Sequence, residues 1–294
     1  MKKRIQIIAP ASCAKLTTKQ KEYIDSFLQK NNFSPNWAPY VFTKEVLSRA
    51  SDPHRLSDLM NAFKKNIPVI MSFRGGYGSS RLLPLIDWKV LKESSSLFVG
   101  FSDLTSFQNA YYAMTGKSSL TGMLAKYICP KQDLSLWTSF VKTLEGQGFD
   151  FKGLPHLASG KASGTLIGGN LTCFQSLIGT PYLPKLKGKI LLLEETTEPP
   201  YRVDRMLTHL KNAGVFDHVN GVILGDFYQC RNDEDKTDGP VYQVLKDFFQ
   251  NFNIPVVYGL PYGHTPQHFC LPFGTTAWID TQKRMLHIDG ISKK

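Results

Sequence analysis

The chain alternates short apolar runs with longer segments in which apolar residues recur every three or four positions. The first pattern predicts a buried strand and the second an amphipathic helix. The apolar runs predict strands at residues 4–10, 40–42, 68–73, 97–99, 165–167, 188–195, 221–227 and 255–258. The periodic segments predict helices at about 18–30, from 52, at 104–114, 134–144 and 171–178, and from 199. Strands alternating with helices indicate an α/β fold with a mainly parallel sheet covered on both faces.

The stretch from residue 146 to residue 164 interrupts this alternation, because it is rich in glycine and polar residues. Such a composition predicts a linker. A chain of 294 residues is long enough for two domains, since a domain takes roughly 150 residues. We therefore expect a domain boundary near residues 150–160. Beyond it, residues 276–280 and 285–289 predict a terminal hairpin.

One junction between a strand and a helix carries a serine. The predicted strand 97–99 is followed by Gly100, and the helical pattern begins after Ser102. Glycine permits a sharp change of direction at such a point. A serine there can be a nucleophile on a strained elbow, although Leu104 stands where the elbow motif has its last glycine. Alternatively, Ser102 or Asp103 is the N-cap of the helix, a position that both residue types favour.

A second junction carries three glycines within four positions. Gly75, Gly76 and Gly78 follow the predicted strand 68–73, and the segment lacks both the dinucleotide-binding and the P-loop patterns. Backbone N–H groups in a glycine-rich loop can approach a ligand closely, so they could stabilise an oxyanion or hold a carboxylate. A turn without a ligand is an equally good interpretation of these residues alone.

A nucleophilic serine needs a histidine as base and an acid that orients the base. His264 follows a predicted strand on a short loop, which favours it over His268 farther along the same loop. The acids at or near strand ends are Glu194, Glu195, Glu198 and Asp226. Successive side chains alternate across a strand, so only one of the two adjacent glutamates can face a given site. The spacing does not say which one.

Composition excludes several classes of function. The five cysteines are scattered and form no Cys-x-x-Cys or Cys/His ligand pattern, which predicts reduced thiols, no metal site and no cofactor. The apolar run after the basic start is too short for a secretory signal, and no stretch reaches the length of a membrane span, so we expect a cytoplasmic protein without a membrane partner. The net charge of +11 is spread along the chain, which gives little support for nucleic-acid binding and also fits a small anionic substrate.

The order of these segments resembles the LD-carboxypeptidases, serine peptidases that include murein tetrapeptide carboxypeptidase and the microcin C self-immunity peptidase. The resemblance covers nearly the whole chain. It rests on residues 9–12, 55 with 58–59, 74–78, 82–87, 100–105, 168–171, 179–181, 193–194, 198–202 with 204–206, 263–264 and 271–274.

The resemblance implies a role for each candidate. Ser102 would be the nucleophile, His264 the general base and Glu194 the acid that orients it. The oxyanion hole would use the backbone N–H of Asp103 and one from Gly76 or Gly75, with Gly76 slightly preferred. The implied fold is an N-terminal parallel-sheet domain of the Rossmann or flavodoxin type at residues 1–150. A smaller, β-rich swivelling α/β domain would follow at 151–294, with the site in the cleft between them.

The resemblance also implies a reaction, the removal of the terminal D-alanine from murein tetrapeptides during peptidoglycan recycling. A homodimer is implied as well. A peptidase that cleaves a microcin C-type peptidyl nucleotide is the alternative within this fold. The free carboxylate of a peptide substrate suits an arginine, and Arg74 and Arg202 are the candidates. A third hypothesis, based on charge, is a non-catalytic binder of anions or nucleic acid.

Overall fold

The structure of the protein is a computed structural model that describes residues 2–130, 134–231 and 239–292. Its strands are β1 (Lys3–Ile8), β2 (Phe33–Trp37), β3 (Val69–Ser72), β4 (Leu97–Gly100), β5 (Ser119–Thr121), β6 (Phe149–Lys152), β7 (His156–Ala158), β8 (Lys161–Asn170), β9 (Lys189–Thr196), β10 (Gly221–Tyr228), β11 (Val256–Tyr258), β12 (Leu271–Phe273), β13 (Thr276–Asp280) and β14 (Met285–Ile288). Its α-helices are α1 (Thr18–Lys30), α2 (Asp52–Lys64), α3 (Trp88–Glu93), α4 (Leu104–Thr115), α5 (Leu134–Leu144), α6 (Leu171–Gln175), α7 (Pro200–Asn212), α8 (Val215–His218) and α9 (Gly239–Phe249).

The first sheet has the order β12-β5-β4-β3-β1-β2. Strands β1 to β5 are parallel, and their order is that of flavodoxin-like folds. All four residues of β3 are buried, as expected for a parallel strand covered on both faces. The parallel α/β architecture predicted for the first half of the chain is therefore confirmed.

The second sheet has the order β6-β14-β13-β8-β9-β10-β11-β7. Strands β8 to β11 are parallel, whereas β13, β14, β6 and β7 join them in antiparallel fashion. This mixed, strand-rich sheet agrees with the α/β fold class expected for the second half. The position of the domain boundary stays a prediction.

Two sequence predictions of local structure are wrong. Residues 40–42 form a turn, and the second strand is instead β2, where Pro35 interrupts the apolar pattern. Proline is tolerated there because β2 is an edge strand. The predicted linker at 146–164 contains β6, β7 and the beginning of β8. Its glycines and polar residues lie in and between the edge strands β6 and β7 and at the beginning of the central strand β8 rather than in a free connection.

The two sheets are joined by a helix that contacts both. Helix α4 follows β4 of the first sheet, and its Asn109 is fully buried against β8 of the second. The Asn109 amide donates to the carbonyl of Gly168 (2.8 Å), and its side-chain oxygen accepts from the N–H of Gly168 (3.0 Å). One turn earlier, the Thr105 hydroxyl accepts from the N–H of Asn170 (3.0 Å). These hydrogen bonds fix the beginning of α4 relative to the second sheet.

The chain also crosses back between the sheets after β11. Strand β12 belongs to the second half of the chain, but it pairs antiparallel with β5 of the first sheet. The loop between β11 and β12 is therefore held in the second sheet at one end and in the first at the other. This loop therefore spans from one sheet to the other.

In the ranges that the structure describes, no helix is both long enough and apolar enough to cross a membrane.

We expect Gly168→Ala to break the contact between β8 and β9. Gly168 has φ +108°, and a Cβ there would lie 2.1 Å from the carbonyl oxygen of Leu192. Backbone strain and overpacking together should lower the free energy of unfolding by about 3–4 kcal/mol. Gly153→Ala is the matched control, because Gly153 also has a positive φ but nothing lies within 4 Å of its added Cβ. Urea denaturation that gives both variants the same loss would contradict this account.

Candidate active site

Ser102 lies on a strained turn between β4 and α4. Its φ is +66°, a region that residues with a side chain rarely adopt. Asp103 occupies the N-cap position of α4, yet its side chain makes no capping hydrogen bond. The N-cap prediction is therefore confirmed for the position of Asp103 but not for a capping role of its side chain. The strained turn holds the Ser102 hydroxyl at the carboxyl end of the first sheet, where ligands bind in open α/β sheets.

Three side chains from distant parts of the chain form one hydrogen-bonded series. His264 Nδ1 lies 2.8 Å from Glu194 Oε2, and His264 Nε2 lies 2.9 Å from Ser102 Oγ. A carboxylate only accepts, so Nδ1–H donates to Glu194, which leaves Nε2 free to accept from the serine O–H. Glu194 is fully buried and the His264 side chain is 17% exposed. Such an arrangement can serve as a nucleophile, a base and an orienting acid.

The neighbouring acids have other partners. Glu195 points to the opposite side of β9 and accepts from the Asn170 amide and from the N–H and hydroxyl of Thr172. Burial, together with the nearby charge of Glu194, raises the pKa of Glu195. Glu198 forms an ion pair with Arg202 (3.3 Å). The alternation along β9 thus decides which glutamate faces His264.

The glycine loop that follows β3 packs directly on Ser102. A Cβ on Gly75 would lie 2.6 Å from Ser102 Cβ and 2.8 Å from Ser102 Oγ, whereas one on Gly76 would lie 2.3 Å from Ser12 Oγ. The carbonyl of Gly75 accepts from the N–H of Ser12 (3.3 Å). The N–H groups of Gly75, Gly76 and Asp103 have no acceptor among the residues that the structure describes. Donors of this kind beside a serine can stabilise an oxyanion.

Comparison with known proteins agrees with this geometry. The profile of the LD-carboxypeptidase N-terminal domain matches residues 5–122, and that of the C-terminal domain matches residues 163–279. The chain belongs to the LD-carboxypeptidase family. It is therefore a serine-type carboxypeptidase, and its fold is the two-sheet fold of its relatives.

Individual relatives match over most of their length. The murein tetrapeptide carboxypeptidase of Pseudomonas aeruginosa is 29% identical, and the match covers 94% of this chain and 93% of that protein. The muramoyltetrapeptide carboxypeptidase of Oxalobacter formigenes is 28% identical with a TM-score of 0.86, and the match covers 99% of this chain and 100% of that one. The microcin C7 self-immunity protein MccF, solved with glutamyl sulfamoyl guanosine, is 25% identical with a TM-score of 0.85, and the match covers 98% of this chain and 96% of that one.

His268, the alternative base in this LD-carboxypeptidase, contacts backbone carbonyl groups instead of Ser102. It is 3% exposed, and its two ring nitrogens each lie 2.9 Å from a carbonyl oxygen, those of Thr265 and Gly122. Burial lowers the pKa of His268. Its ring stacks on Phe101 (5.4 Å between centroids), which also packs against His264 (4.7 Å). His268 therefore joins residues 259–270, the histidine loop between β11 and β12, to the first sheet instead of facing Ser102.

The two candidate arginines differ in their surroundings. Arg74 lies between β3 and the glycine loop, and its Nε is buried without a hydrogen-bond partner in the described ranges. Arg202 lies in the first turn of α7, where its side chain is 50% exposed and paired with Glu198. Only Arg74 adjoins the loop that contacts Ser102.

The described residues contain no group of three His, Cys, Asp or Glu side chains that could hold a metal ion.

Sequence reasoning missed the residues that hold the glycine loop in place. Ser12 follows β1, its hydroxyl accepts from the N–H of Tyr77 (3.3 Å), and its N–H bonds the carbonyl of Gly75. Arg55, on α2, is 1% exposed and donates to the carbonyl of Gly78 (2.8 Å). Both belong to segments of the family resemblance. However, nothing in their spacing relates them to a loop more than 20 residues away.

Proposed function

We propose that the protein is an LD-carboxypeptidase that removes the terminal D-alanine from murein tetrapeptides. The observation that carries this proposal is the hydrogen-bonded series of Ser102, His264 and Glu194. It is supported by relatives that are named as murein tetrapeptide carboxypeptidases.

In the proposed reaction, His264 Nε2 accepts the proton of Ser102 as Oγ attacks the carbonyl before D-alanine. Glu194 holds the neutral ring in the required tautomer and stabilises the imidazolium that forms. The imidazolium then protonates the amine of D-alanine, which leaves an acyl-enzyme. A water molecule, activated by His264, releases the shortened peptide as a carboxylate and restores the serine.

The negative oxygen of the tetrahedral intermediate would bind the N–H of Asp103 and that of Gly76 or Gly75. Gly76 is favoured because the Gly75 carbonyl points to Ser12. In a trans peptide the N–H of the next residue points the opposite way, which here is away from Ser12.

The family resemblance further implies a homodimer, and we propose a cytoplasmic location and a reaction without a cofactor on the basis of the sequence patterns described above. We propose a division into domains 1–150 and 151–294, so that Ser102 comes from one domain and Glu194 and His264 come from the other. The two sheets and their connection through α4 are compatible with this division.

We expect Ser102→Ala to keep its fold and lose D-alanine release by roughly 10⁴–10⁶-fold, because triad serines contribute rate of that order. Ser106→Ala is the matched control. Ser106 lies one turn along α4, and its hydroxyl donates to the carbonyl of Cys173. Release of D-alanine by purified enzyme, followed by mass spectrometry, is the measurement. Wild-type release by Ser102→Ala would contradict the proposed function.

Arg74 is the proposed partner of the substrate's terminal carboxylate. A guanidinium can bind a carboxylate through two parallel hydrogen bonds. We expect Arg74→Gln to raise KM for the tetrapeptide by about 10–100-fold, with a smaller change in kcat, since charge-assisted hydrogen bonds are worth that much. Arg202→Gln is the control, because Arg202 is exposed and already paired with Glu198. An equal rise of KM in both variants would argue against Arg74 as the specific contact.

The second candidate function is immunity through cleavage of a microcin C-type peptidyl nucleotide, which the structural similarity to MccF favours. Residues 117–165 would carry the specificity. The two candidates are separated by comparing kcat/KM for a murein tetrapeptide with that for an aspartyl-adenylate conjugate. We expect the tetrapeptide to be preferred. Preference for the conjugate would replace the murein assignment but keep the same nucleophile.

A further inference from the structure

Asp103 has a side chain that the proposed mechanism does not use. It is 7% exposed and directly follows Ser102. Its two oxygens accept from consecutive N–H groups of the neighbouring loop, those of Gly78 (3.3 Å) and Ser79 (2.8 Å). In return, the hydroxyl of Ser79 donates to the carbonyl of Asp103 (2.7 Å). Three hydrogen bonds therefore join the serine turn to the end of the glycine loop.

Other contacts of the glycine loop come from α2 and from the turn after β1. Arg55 donates to the carbonyl of Gly78 (2.8 Å) and to that of Pro10. Ser12 bonds Tyr77 and Gly75. Gly78 has φ +110°, and a Cβ there would lie 2.9 Å from Arg49 Cδ and 3.3 Å from Arg55 Nη1. The loop is thus bonded to α2 and to the turn after β1 as well as to Asp103.

These contacts leave a specific set of donors free. The backbone N–H groups of Gly75, Gly76 and Asp103 have no acceptor in the described part of the chain. The backbone of Asp103 and the loop residue Gly75 meet at Ser102, since a Cβ on Gly75 would lie 3.3 Å from the nitrogen of Asp103. One residue therefore offers its N–H beside Ser102 while its carboxylate holds the loop that supplies the other donors.

We propose that the Asp103 carboxylate is a positioning residue, which sets the distance between the two halves of the oxyanion hole. The inference rests on the proposed function, because it assumes that these N–H groups bind the developing oxyanion. An oxyanion hole needs donors at about 2.7–3.1 Å from one oxygen position. Here they come from two loops that follow different strands. Asp103 belongs to one of these loops and its carboxylate bonds the other, so it limits how far the two loops can move apart.

The chemistry of the contacts selects a carboxylate. Both side-chain oxygens face N–H donors, and an aspartate can accept at both. An asparagine has the same shape but can accept only at its oxygen, so its NH₂ group would face a second donor. The loop would have to move away from that NH₂ group. A misplacement of about 1 Å can reduce a rate roughly 100-fold.

The experiment compares Asp103→Asn with Asp58→Asn. Asp58, on α2, is the matched control because it is 4% exposed and also accepts from a backbone N–H, that of Tyr40 (3.0 Å). We expect Asp103→Asn to lower kcat for the tetrapeptide by about 100-fold with KM little changed, and Asp58→Asn to keep the wild-type kcat. Labelling of Ser102 by a fluorophosphonate, followed by intact mass, should slow in parallel, because that reaction also places an oxygen in the hole.

A second pair of variants tests whether the effect passes through the loop. Ser79→Ala removes only the hydroxyl that donates to the Asp103 carbonyl, and we expect kcat to fall about fivefold. The double variant Asp103→Asn/Ser79→Ala should lose less than the product of the two single losses, because both changes release the same segment. If Asp103→Asn does not fold, Ser79→Ala decides alone, and a wild-type kcat in it would overturn the proposal.

The outcomes separate this inference from the function on which it rests. A folded Asp103→Asn enzyme whose kcat is within about threefold of wild type, beside an inactive Ser102→Ala enzyme, overturns the positioning role and leaves the proposed function intact. A raised KM with unchanged kcat also overturns it, since the loop would then act in substrate binding. An active Ser102→Ala enzyme contradicts both.

Discussion

The proposed active site depends on how the two sheets are held against each other. Ser102 follows a strand of the first sheet, Glu194 lies on a strand of the second, and His264 lies on the loop that connects them. Hydrogen bonds of 2.8 and 2.9 Å join the three side chains, so a small shift of one sheet would break the series. Helix α4 prevents this shift through Asn109 and Thr105, which bond the backbone of β8. Strand β12 holds the other end of the histidine loop on the first sheet.

Three buried carboxylates near the site differ in their partners. Glu194 faces His264, Glu195 accepts from Asn170 and Thr172 at the start of α6, and Asp103 accepts from the glycine loop. A buried carboxylate is costly unless it is paired and hydrogen-bonded. Each of the three therefore fixes a different piece of backbone or side chain. In the proposed enzyme, Glu194 is the one of these three that acts on the base: it orients His264, which transfers the proton.

Much of the fold could be predicted from the chain because the relevant signals are local. Helix α1 begins after Thr17 with a capping box, and α4 ends at Gly116 in the left-handed conformation. These signals lie within a few residues of the feature they determine. Short strands were harder to predict, since β2 contains proline and β6 and β7 lie in a glycine-rich stretch. Their pairing with neighbouring strands outweighs their own weak preference for extended structure.

The sequence by itself predicted most of the alternation of strands and helices and the junction that carries Ser102. The family resemblance added Glu194 and His264 as candidates. The tertiary structure decided which groups meet. It placed Glu195 on the far side of β9, used both nitrogens of His268 for carbonyl contacts, and set Asp103, Ser12 and Arg55 around one loop. Periodicity reports the surroundings of a residue along its own helix or strand. Contacts between residues 12, 55, 78 and 103 arise only when parallel strands bring their carboxyl ends to one edge.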